Sequence, residues 1–308
     1  MSEARNNSGR VVAWASALGV LLLAAAAVWW PRPVHLTAAP VVVVLDPAGE
    51  ERRLGEVWPA LGAVLAAARP EAPRLVVART LPEFRQLATG RPDYLVCPDG
   101  VALGLDPAAW VPVAAGRRPA PRNLRPHGVL LSRVAAAGDP TPWLTRPGAV
   151  IFGDSLSLTA TGVLRPAAAS TAGLPGIVSW GPDPYDHGPV LHALRLGAFA
   201  FAVVRQWDAE RFLAQGLLDP AAWTVRELTV PVPDLVVLAD RRVPAAERLA
   251  LGERLSGIGR ELADLTPAER RLAAALPCLG LAGFNLLIEP DFELVRGNFA
   301  ADWPRPRP

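Results

Sequence analysis

The chain has 308 residues, of which 51% are apolar and 19% charged, and its formal net charge is +2. That length accommodates two compact domains or one large one, and the apolar content excludes a disordered chain. So small a net charge gives no electrostatic argument for nucleic acid or an acidic partner. Every one of the 31 basic side chains is Arg; with Ala, Gly and Pro also abundant, this reads as GC-rich codon usage rather than as a binding signature. Cys97 and Cys278 form no CxxC pair, which leaves a disulfide or two buried thiols as alternatives. His35, His127, His187 and His192 lie in no HExxH-like arrangement, so neither a metal site nor a cofactor is expected.

In chain order, Val11 to Trp30 comes first, an uncharged run of about 20 residues that would span about 30 Å as a helix, one hydrocarbon core. Arg5 and Arg10 precede it, which keeps residues 1–10 in the cytoplasm, and Trp29 and Trp30 suit the far interface. Pro31 and Pro33 stop the helix. The length favours an uncleaved anchor over a cleaved signal peptide. On either reading residues 31–40 are a linker and the remainder faces outside.

Short apolar runs then alternate with helical stretches. Strands are predicted at Val41 to Asp46, Arg74 to Ala78, Tyr94 to Cys97, Trp110 to Val113 and Val129 to Leu131, and helices at Leu54 to Ala68 and Leu81 to Ala88. A second series opens with a strand at Ala149 to Phe152, then a helix after Gly162 and a strand near Ile177 to Trp180. It continues with a helix around Val190 to Leu196, a strand at Phe199 to Val204 and a helix at Asp208 to Gln215. Strands near Thr224 to Val230 and Leu235 to Leu238 and a helix at Ala245 to Leu262 complete it. Repeated β-α units predict an α/β protein with a largely parallel sheet and helices on its faces. No internal repeat stands out; residues 297–308 are the tail, and from Asp302 its Pro-rich DWPRPRP is expected to be unstructured.

Phe152 to Ser157, FGDSLS, resembles the nucleophile block of the GDSL esterases and lipases, with Ser155 as nucleophile. That chemistry also needs an imidazole and a carboxylate that orients it. Neither the Asp-x-x-His pair nor the Gly-x-Asn-Asp block of those enzymes is present, so hydrolysis is the alternative reading only.

The next residues, Thr159 to Pro166 (TATGVLRP), resemble the Ser-Thr-Ser-Gly-x-Leu-x-Pro block of the phosphonate-binding family of periplasmic solute-binding proteins. Asp154, after the apolar strand, matches that family's strand-ending Asp. Tyr94 to Gly100, His187 to Gly197, Pro231 to Pro244 and Gly280 to Arg296 are similar to further blocks in the same order. Together they span nearly all of residues 41–296. The resemblance implies that Thr159, Ala160, Thr161 and Gly162 open a helix whose free amides hold an oxyanion, a sound arrangement because unpaired N–H groups and the helix dipole attract negative charge. It aligns His187 with a ligand-side histidine. Asp46 and Asp99 end strands in the first lobe, where clefts of open α/β sheets form; capping and turn roles compete for both, and N-capping competes for Thr159 and Thr161. Ala160 stands where the family has a hydroxyl residue, and Ala200 where it has an acid, the residue type that holds the amine in its aminophosphonate binders.

The expected architecture is a two-lobed type II periplasmic-binding-protein fold with a hinge. Residues 41–125 and 226–296 form lobe one, 126–225 form lobe two, and the N-terminal transmembrane helix precedes both. The expected function is capture of phosphonate, phosphate or phosphite for an ABC permease or a membrane sensor, without catalysis. A degenerate binding domain is a further alternative.

Overall fold

A computed structural model of the chain describes residues 39–119, 128–133, 150–153, 156–157, 177–179, 183–227, 233, 235–260 and 264–300. The span expected at 11–30, Asp154, Ser155 and the whole Thr159–Gly162 block lie outside them. Among the described residues no helix is long and apolar enough to cross a membrane.

Strand β1 (Val41–Leu45) leads through a π-helical turn (Arg53–Val57) into α1 (Trp58–Leu65). Then follow β2 (Arg74–Ala78), α2 (Leu81–Thr89), β3 (Tyr94–Pro98), α3 (Asp99–Leu103) and β4 (Trp110–Arg117). Next come β5 (Gly128–Arg133), β6 (Val150–Phe152), β7 (Ile177–Ser179), α4 (Gly188–Arg195), β8 (Phe201–Arg205), α5 (Gln206–Ala214) and β9 (Trp223–Glu227). The chain continues with β10 (Leu235–Asp240), α6 (Ala245–Gly257), α7 (Pro267–Ala275), a short 3-10 turn (Leu276–Leu279), β11 (Gly283–Leu286) and α8 (Glu289–Ala300). Three helices, α3, α7 and α8, and strand β11 are absent from the predicted elements. Helix α6 stops short of Leu262 because Ile258 turns extended and Gly259 takes a left-handed φ of 75°.

The strands form two sheets, ordered β11-β4-β10-β3-β1-β2 and β7-β6-β8-β5-β9. Alternation in VVVVL explains how the first sheet is covered on both faces. Val42 and Val44 pack with Trp58 and Leu61 of α1 and Leu255 of α6, whereas Val43 and Leu45 pack with Phe84 of α2 and Phe292 of α8. The second sheet packs Val129, Leu131, Ala202 and Val204 against Leu191 and Leu194 of α4 and Phe212 of α5.

The expectation of a largely parallel sheet is corrected. β1 runs parallel to β2 and β3, and β6 parallel to β7 and β8, but β10 is antiparallel to β3 and β4, and β5 antiparallel to β8 and β9. The reason is connectivity. β5 follows β4 of the other sheet and β10 follows β9 of the other sheet, so neither is delivered by a β-α-β crossover that would force it parallel. The two sheets share one plan, with β6, β7, β8, β5 and β9 in the places of β1, β2, β3, β10 and β4. The fold is therefore two α/β lobes joined by a double crossing.

Candidate functional site

The polar residues buried in the described structure concentrate where the strands' carboxyl ends lie. Asp46, Arg53, Asp99, Arg118, Ser157, His187, Arg205 and Asp208 are all buried, and four of them follow or end β1, β3, β4 or β8.

At the end of β1, Asp46 is wholly inside. Its Oδ1 accepts from Gly49 N–H at 3.0 Å and from Arg53 Nη1 at 3.4 Å, and its Oδ2 accepts from Trp58 Nε1 at 2.8 Å. The carboxylate thus closes the loop after β1 and fixes α1 to it. The π-helical turn directs Arg53 inward beside Asp46 while its neighbour Arg52 stays exposed. Arg53 then reaches the other lobe, donating from Nη1 and Nη2 to Asp183 Oδ1 and Oδ2 at 2.9 and 2.6 Å, a two-pronged pair. Burial alone would lower the Arg53 pKa, but the carboxylates of Asp183, Asp46 and Glu50 more than reverse this and hold it raised. Beside it Tyr185 donates its hydroxyl to Leu45 O at 2.7 Å, and its ring lies 5.7 Å from that of Trp58. Burial, then the nearby Asp46, pushes the Tyr185 phenol well above its ordinary pKa, so it stays a hydroxyl donor.

At the end of β3, Asp99 opens α3 and its Oδ1 accepts from Gly100 N–H at 2.9 Å. The adjacent Cys97 is buried, and desolvation drives its thiol well above the ordinary value. Cys97 and Cys278 are both free thiols, in different core clusters.

The matching ends of lobe two are β6 and β8. The His187 ring lies so close over Gly153 that a Cβ there would sit 2.4 Å from Nδ1. That nitrogen accepts from the Arg205 backbone N–H at 3.1 Å, so one imidazole ties the loop before α4 to the ends of β6 and β8. Arg205 donates from Nε to Asp208 Oδ2 at 2.9 Å and from Nη1 to Pro184 O at 2.9 Å. Desolvation would raise the Asp208 pKa; Arg205 foremost, with His187, Arg118 and Arg211, outweighs it and holds the carboxyl below its usual range. Arg118, leaving β4, donates to Leu279 O and Gly280 O at 2.7 and 3.0 Å. Burial, reinforced by Arg205, depresses its pKa well below the ordinary guanidinium value. Gly280, at φ 65°, leaves room for both Arg118 and Trp207 of α5. Leu156, just past Gly153, packs on the lobe-one cluster that contains Leu45 and Cys97.

Among the expected site residues, Asp46 and Asp99 therefore stand at strand ends, and His187 stands before α4 with its ring on the ends of β6 and β8. Asp46 is in direct contact with the cross-lobe Arg53, and His187 with the lobe-two arginine. Arg53, Asp183, Tyr185, Arg205 and Asp208 were not singled out from sequence. A signal existed for Arg205, the charged end of the apolar run FAFAVVR; none existed for Arg53, because the π turn that aims it is a packing outcome. For the hydrolase alternative, His187 Nδ1 is committed to a backbone amide, and His192 stacks edge-on to Phe212 at 4.9 Å within lobe two.

This is the two-lobed α/β fold of the periplasmic solute-binding proteins. No family model matches the chain, and no curated protein matches it in sequence. Among solved structures, XAC2383 of Xanthomonas citri, determined with chloride and with ATP, is similar with a TM-score of 0.58 at 14% identity, covering 86% of this chain and 98% of that one. PhnD1 of Prochlorococcus marinus, in complex with methylphosphonate, is similar with a TM-score of 0.57 at 9% identity, covering 85% and 97%. A binding protein component of an ABC phosphonate transporter from Pseudomonas aeruginosa follows with 0.54 at 13% identity, covering 85% and 86%.

Proposed function

We propose that the protein is an extracytoplasmic, membrane-tethered solute-binding protein that captures a small oxyanion between its lobes and serves an ABC permease or a membrane sensor. The oxyanion class is phosphonate, phosphate or phosphite. In this reading residues 11–30 are the anchor, residues 41–125 with 226–296 form one lobe, and residues 126–225 form the other. The observation that carries it is the gathering of buried charged and polar side chains at the carboxyl ends of β1, β3, β6 and β8, with both lobes touching there. Ligands of open α/β sheets bind outside those ends, and a double crossing lets two lobes close over a solute.

Each candidate residue has a role. Thr159, Ala160, Thr161 and Gly162 follow β6 in sequence and supply amides and hydroxyls to the anion. His187 braces the end of β6, from which that block departs. Asp46 acts through Arg53 as a positioning residue, and Asp99 orients the turn into α3. Methylphosphonate, chloride and ATP, found with similar structures, are all anions.

The test is thermal unfolding of the full chain with inorganic phosphate, phosphite and methylphosphonate in turn. A solute at about 100 times its Kd stabilises a protein by about 2.7 kcal/mol, so at least one should raise Tm by several degrees. The double variant Thr159→Ala/Thr161→Ala should abolish that rise without lowering Tm in buffer alone by more than about 2 °C. No shift with any of the three would end the oxyanion reading.

A further inference from the structure

The segment between β7 and α4 holds both lobes at once. On its own lobe, Pro184 O accepts from the buried Arg205, and Asp186 Oδ1 accepts from Gly188 N–H at 2.9 Å and from Arg211 Nη2 at 3.0 Å. On the opposite lobe, Asp183 takes both prongs of Arg53, and Tyr185 reaches the last carbonyl of β1. Tyr185 is counted in the core cluster of the first sheet, packed with Trp58, although the chain reaches it from the second. The Arg53 guanidinium also lies over the Tyr185 ring, 5.4 Å from its centre. Asp183 Oδ1 accepts from Tyr185 N–H at 2.9 Å, so the two reaching side chains are set relative to one another before they cross.

We infer that Asp183–Pro184–Tyr185 is a built-in latch that holds the two lobes closed, with Arg53 and Leu45 O as its catch. The inference does not depend on which solute binds. A two-pronged, hydrogen-bonded ion pair whose guanidinium is buried is strong because losing the carboxylate removes two charge-assisted bonds from a desolvated cation. The catch survives the latch, however. Without Asp183, Arg53 still has Asp46 and Glu50, at 3.4 and 2.9 Å, so lobe one keeps its fold. A latch of this kind sets how often the interlobe face opens, and hence how fast anything enters or leaves it.

Amide hydrogen exchange of the full chain, read by mass spectrometry, tests this. In Asp183→Asn/Tyr185→Phe, peptides covering residues 45–53 and 183–188 should both exchange about tenfold faster or more, because the Tyr185–Leu45 bond is buried and the two Arg53–Asp183 bonds join full charges. Peptides covering β3 and β10 should keep their protection, which also reports that the variant folds. Asp186→Asn, in the same segment but bonded to Gly188 and Arg211 of lobe two, should leave residues 45–53 unchanged. Unaltered exchange at 45–53 in the double variant would overturn the latch, and so would equal acceleration there by Asp186→Asn. Should the double variant fail to fold, Tyr185→Phe alone keeps the ring and every charge, and a several-fold acceleration in both peptides is then required.

Discussion

At the scale of single residues, lobe two depends on a histidine that has no space to spare. His187 lies on Gly153 and accepts from Arg205, so a methyl group on Gly153 must push the imidazole off that bond. Gly153→Ala should lower unfolding free energy by about 1–3 kcal/mol in denaturant titration; an unchanged midpoint would contradict the packing. Asp208 gives a prediction in pH. Its folded pKa lies below the ordinary 3.8, so its contribution is fully present above that value and is lost as pH falls through the lower, folded one. Asp240, also lowered, by the amide and side chain of Arg242 and by Arg91 against its own desolvation, acts in the same direction. The protein should therefore lose stability steeply below about pH 4. Asp208→Asn should be less stable at pH 7 and show a shallower acid loss, measured by urea midpoints at pH 7 and pH 3.5. At this scale little was legible in the sequence. His187 was found through a resemblance, whereas Arg53 and Asp208 were not singled out, and only packing placed them inside.

At the scale of elements the sequence was far more informative. The runs VVVVL and YLVC became β1 and β3 because strands buried on both faces need continuous apolar residues, and RLVVA became β2, the half-buried strand at the sheet edge. Helix α7 was missed although its start is written plainly. Thr266 accepts from Glu269 N–H, Glu269 accepts from Thr266 N–H, and Pro267 sits at the first turn, a complete capping box. Thr266→Ala should cost about 1 kcal/mol. Gly252 in α6 shows where propensity and packing disagree. Ala is better than Gly in a helix by about 1 kcal/mol, yet a Cβ there would stand 2.5 Å from a Leu286 methyl and 3.1 Å from Val113 O. Leu286 is half-exposed and can yield, but the backbone carbonyl of β4 cannot. Gly252→Ala should therefore be destabilising by about 1–2 kcal/mol, and a rise in Tm would show that the contact relaxes freely.

For the whole molecule, connectivity couples the lobes. Each sheet carries, between two of its own strands, an antiparallel strand that arrives from the other lobe, β10 in one and β5 in the other. Neither sheet can lose that strand without losing its neighbours' hydrogen bonds, and the Arg53–Asp183 pair adds a direct contact. Thermal unfolding should therefore appear as a single calorimetric transition whose calorimetric and van't Hoff enthalpies agree. Two resolved peaks would mean that the lobes melt independently.

What the sequence determined by itself is the local grammar, meaning where apolar runs make strands, where periodic stretches make helices, and that the whole is α/β. These follow from side-chain period and turn chemistry, which are properties of neighbouring residues. What only the tertiary structure decided is strand direction, the shared plan of the two sheets, and the pairing of Arg53 with Asp183 and of Tyr185 with Leu45. Those contacts join residues up to 140 positions apart, and nothing local encodes them. They arise when two lobes, each completed beside a strand from the other, bring their strand ends face to face.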